Sequence, residues 1–228
     1  MSLTVGTIVS QVRSAIDEVM QNDSDFLRES NDELNLTDII ISKIGFALQH
    51  VVENAPIEKL DSDAFETLSS EEADGFSVDG TSLVGKLKIP TDLLRIIDAR
   101  LSSWTRFPIP VTDMSQVALM QQDEYARGSY DRPVNILTYE GTDRYLMMYC
   151  AKTASDTLNF TFIRKPKADE YSADNPNKEV KVPSLLEASL IYQIAGLTMV
   201  AFREEVAASL FAIAQRYLDP EQQRITDE

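Results

Sequence analysis

A single histidine and a single cysteine leave this 228-residue chain short of the usual catalytic and metal-binding side chains. One cysteine excludes an intrachain disulfide and fits a reducing compartment. One His and one Cys cannot make a zinc site of the usual ligand types. The eight glycines are scattered, with neither G-x-x-x-x-G-K nor G-x-G-x-x-G spacing, so no phosphate-cradling loop is indicated. Cations are also few: 21 Lys and Arg stand against 37 Asp and Glu, for a formal charge of −16. That balance opposes a protein that binds by neutralising phosphates. No basic, apolar leader opens the chain, which predicts against a secretory signal.

The scarce reactive groups read as structural. His50 falls opposite the apolar stripe of its helix and is expected in solvent, with no catalytic partner beside it. Cys150 ends a strand-like run, where a small buried apolar role is expected. The acid pairs Asp61 with Asp63, Glu71 with Glu72 and Glu204 with Glu205 read as solvated surface rather than a carboxylate dyad. Residues 61–79 lack the ligand order of an EF-hand. The expectation is a protein that is not an enzyme and carries no metal or cofactor.

Against these absences stands one long apolar stretch. Pro183 to Leu218 reads as one helix of about 35 residues, opened by an S-x-x-E capping box at Ser184 and Glu187. No charge occurs from Ala188 to Phe202. A helix apolar on nearly every face must be covered on nearly every face. It is too polar for a membrane span. The expected cover is protein, from this chain, from neighbouring copies or from both.

Two amphipathic helices are expected before it. Val5, Ile8, Val12 and Ile16 form a stripe in the first, over Thr4–Gln21; Ile40, Ile44, Leu48 and Val51 form one in the second, over Thr37–Asn54, which Pro56 ends. Residues 57–82 read as an acidic loop, with one helical turn near Ala64 to Leu68. From Leu83 the period turns towards two, giving strands at about 83–89, 96–104, 133–139, 144–150 and 157–163. A short helix capped by Asp113 and Gln116 interrupts them. Glu140–Asp143 and Ala154–Asp156 are expected as hairpin loops joining the last three strands in series. Residues 165–181 read as a loop.

The fold class is therefore α+β. Two N-terminal helices and one long C-terminal helix form a helical bundle, with a small antiparallel β region inserted between them. Over 1–228 one structural unit is expected. Residues 1–56 and 183–220 form its helical body, 83–166 the inserted region, and 221–228 a polar tail.

Acid is unevenly spread: residues 1–80 hold 17 acids and 4 bases, giving −13. The cationic clusters Arg164-Lys165-Pro166-Lys167 and Lys178 with Lys181 read as solvated loop residues. Aromatics and arginines interleave at Trp104, Arg106, Phe107, Tyr130 and Arg132. Such residues can stack on single-stranded bases, but in an acidic chain the protein-interface or core reading is stronger. With Leu197, Phe202, Leu218 and Arg224 they make up the expected oligomer and partner surface.

Several short motifs carry a resemblance. Ile89-Pro90-Thr91-Asp92-Leu93-Leu94-Arg95-Ile96 leads into an apolar stretch to Trp104, followed by Tyr125-Ala126-Arg127-Gly128, Arg132-Pro133-Val134 and Ile163-Arg164-Lys165-Pro166. Together, over about residues 83–220, they resemble head–tail connector proteins of tailed bacteriophages: the adaptor, ring and tubular tail proteins of short-tailed and crAss-like phages. The acidic 57–82 segment is not part of that pattern.

The resemblance implies a homo-oligomeric ring, commonly of twelve copies. It would be made in the host cytoplasm and sit at the head–tail junction of the virion, against the portal protein and other tail or ring proteins. Helices would form the ring body and the β region would reach the next tail component, with the C-terminal segment extending towards the portal. DNA would pass through the channel without sequence-specific binding, and no membrane is implied. Negative charge along such a channel would discourage DNA from adhering. The alternative expectation is a non-enzymatic, dimeric protein- or ligand-binding module.

Overall fold

A computed structural model describes residues 3–20, 33–60, 66–69, 76–111, 119–123, 125, 127–166 and 171–219. The protein is α+β, with its helices and its largely antiparallel sheets in separate parts of the chain. It divides into two compact units, one built from both chain ends (1–64 and 165–228) and one from the middle (65–164).

In the helical unit, α1 (Val5–Val19) starts at Thr4, whose side chain accepts from the Thr7 N–H. Its buried residues are Val5, Ile8, Val12, Ala15 and Ile16, as the stripe predicts. Helix α2 (Glu33–Asn54) begins four residues earlier than expected and buries Ile40, Ile44, Leu48 and Val51. Pro56 then opens a single 3-10 turn, Ile57–Lys59.

The expected long C-terminal helix is instead two helices. After a 3-10 turn at Ser184–Leu186, α3 runs Glu187–Met199 and α4 runs Glu204–Leu218. Arg203, between them, is extended (φ −147°, ψ 100°), and α3 opens without a side-chain cap at Leu186. The chain reverses because α4 can fold back along α3. Ser189 Oγ donates to the Ala214 carbonyl at 3.0 Å, and Gly196 lies against the Phe211 ring, where an added Cβ would sit 2.5 Å from Cε1. The new helix starts at Glu204 and Glu205, where negative charge favours a helix N-terminus.

Helix α3 packs against α1, α2 and α4 of its own chain. Leu190, Ile194, Ala195 and Met199 are fully buried there. Most of its apolar surface is therefore covered within one subunit, the first of the three expected sources of cover, while Tyr192 and Leu197 stay half-buried.

The β unit holds two sheets. One has the order β1-β8-β4: β1 (Glu66–Ser69), β8 (Leu158–Arg164) and β4 (Leu93–Leu101). The other has the order β2-β3-β7-β6-β5: β2 (Ser77–Val78), β3 (Val84–Lys88), β7 (Asp143–Tyr149), β6 (Val134–Glu140) and β5 (Ile109–Val111). Both sheets supply its core, with Leu87, Leu101, Met148, Phe160 and Phe162 among the most enclosed residues. The Phe160 and Phe162 rings stack at 5.1 Å.

Three expectations change here. Residues 66–69 form a strand on β8 rather than a helical turn. β6 and β7 make the expected hairpin, with Gly141 at φ +63°, a conformation glycine adopts without steric cost. β7 and β8, however, belong to different sheets, so the Ala154–Asp156 segment crosses between sheets. Asp156 fixes that crossing by accepting from the Lys152 N–H at 2.7 Å and from the Ser103 hydroxyl. Finally, β5 pairs with β6 in parallel at the sheet edge, where Pro110 is tolerated. The short helix expected from Asp113 lies largely outside the described residues.

Candidate functional site

Two loops of the β unit carry most of the interleaved aromatic and arginine residues, and two hydrogen bonds tie them together. Thr105 Oγ1 donates to Asp131 Oδ1 at 3.4 Å, and the Ile109 N–H donates to the Pro133 carbonyl at 2.9 Å. These bonds place the loop bearing Arg106 and Phe107 beside the loop bearing Tyr130 and Arg132. Phe107 is 72% exposed, with the Arg100 guanidinium 4.9 Å from its ring centre. Lys152 Nζ lies 5.3 Å from the Tyr130 ring, and Arg132 donates to the Tyr125 carbonyl at 2.8 Å. Tyr125 itself is 87% exposed. Trp104 is different: it is a core residue whose Nε1 donates to the Cys150 carbonyl at 2.9 Å. It cannot serve the surface expected of it.

Of the candidates in the helical unit, Phe202 is 45% exposed at the α3–α4 turn and Leu197 is half-buried. Leu218 is buried; its carbonyl and that of Tyr217 accept from Lys59 Nζ at 2.9 and 2.8 Å. It closes α4 rather than meeting a partner. Arg224 lies outside the described residues.

Beside the Phe107 loop the β unit has an open, mostly apolar cavity of about 580 Å³. One wall is β4, through Ile96, Ile97, Asp98 and Ala99. The opposite wall is β6, through Asn135, Leu137 and Tyr139, with Phe107 and Pro108 at the side. Asn135 spans the sheets: its Nδ2 donates to the Ala99 carbonyl at 3.0 Å. Asp98 is the one charged wall residue and pairs with Arg100 Nε at 2.6 Å. The sequence reading missed this site. Its signals were the unalternating Ile96-Ile97 pair and an asparagine inside a strand, where that residue is depleted.

Burial pushes the Cys150 thiol up, partly opposed by Arg127, so the reactive thiolate is disfavoured. His50 is exposed, with Nδ1 3.4 Å from the Asn54 amide. Among the described residues no cluster of His, Cys, Asp and Glu could hold a metal ion, and no helix is long and apolar enough to cross a membrane. The sequence matches no protein-family model and no curated protein. The arrangement is suited to contact: exposed rings beside an apolar hollow at a strand edge.

Proposed function

We propose that this chain is a structural subunit of a head–tail connector ring in a tailed bacteriophage, joining portal to tail and continuing the DNA channel. The sequence resemblance over residues 83–220 supplies the family. The observation that supports it is the organisation of the chain. Both ends build a helical unit, and the middle is a β unit whose surface carries Phe107, Tyr125 and Tyr139 largely in solvent. Rings exposed to that degree are suited to a partner surface.

The buried α3 adds nothing to this reading. Cohesion between copies would have to come from exposed groups such as Phe46 on α2, which is 71% exposed, rather than from an uncovered helix. Light scattering and negative-stain imaging of the chain, alone and mixed with its portal protein, test the proposal. A ring or a stoichiometric portal complex is the expected result. A compact monomer or dimer that ignores the portal would overturn it. The self-sufficient helical unit favours a second reading, a monomeric or dimeric protein-binding module, which that negative result would promote.

A further inference from the structure

We draw no further inference here: the strongest candidate, the open apolar hollow between β4 and β6 of the β unit, has its charged wall residue Asp98 already paired with Arg100 and its buried Asn135 bonded to the Ala99 carbonyl, and nothing in the structure shows what fills it.

Discussion

Both units leave large apolar side chains in water, Phe46 and Leu185 in the helical unit and Phe107, Tyr125 and Tyr139 in the β unit, but they differ in what they enclose. The most apolar helix of the chain, α3, lies among α1, α2 and α4, so that Leu190 and Ile194 are removed from water. The β unit has its own closed core, yet Phe107 and Tyr139 stand outside it and line an open hollow, and Tyr125 is exposed as well. Hydrophobicity along the sequence is therefore a poor guide to which side chains stay in water. What matters is whether the chain can fold back onto its own apolar segment.

Substitutions in the two cores sharpen the contrast, because each unit has its own optical probe. The only tryptophan, Trp104, reports on the β unit by fluorescence, whereas far-UV circular dichroism is dominated by the helices. Phe160→Ala should cost about 3–5 kcal/mol, since it empties a fully buried site. The loss should register in the Trp104 fluorescence melt. Ile194→Ala should cost about 2–5 kcal/mol, read in the circular dichroism melt. Parental melting of Ile194→Ala would show that α3 is not enclosed and would erase the distinction between the units.

A smaller effect addresses the fold-back itself. Gly196→Ala should destabilise by about 1–3 kcal/mol, because its Cβ would press on the Phe211 ring. Phe211→Leu in the same chain should recover part of that loss, whereas a simple change of helix propensity would predict a gain from alanine. Chemical denaturation of the single and double variants separates these outcomes.

The β unit offers a pH test of moderate size. Burial alone would raise the Asp156 carboxyl. The Ser103 hydroxyl, the Lys152 and Thr153 N–H groups and the Thr153 hydroxyl outweigh it and hold the carboxyl below its ordinary 3.8. A depressed carboxylate contributes stability in full above the unfolded value, and that stability fades as pH falls through the folded value. Asp156→Asn should therefore cost about 0.5–1 kcal/mol at neutral pH, discounted for the largely exposed site. Melts of variant and parent should converge in acid. The smallest effect is expected at Lys59→Met, about 0.5 kcal/mol, from losing the cation at the α4 C-terminus.

Local periodicity made the individual elements readable. The α1 stripe, the α2 stripe and the Gly141 hairpin all follow from spacings of a few residues. Non-local choices were not readable. Nothing in the apolar run marks a reversal near Ala201 by proline or glycine; the useful sign was the Glu204-Glu205 pair, which suits a helix start. The crossing at Asp156 likewise looks like a hairpin loop, because short polar turns serve both purposes. The candidate surface was half legible. Phe107 and Tyr130 stand out as exposed rings, but Trp104 belongs to the core and the β4 hollow depends on which strands share a sheet.

Amide hydrogen exchange along residues 187–199, followed from high to very low protein concentration, tests the central claim most directly. Cover supplied by the subunit's own α1, α2 and α4 predicts strong protection that does not change on dilution. Protection that falls as copies separate would contradict it, placing α3 in an interface between subunits.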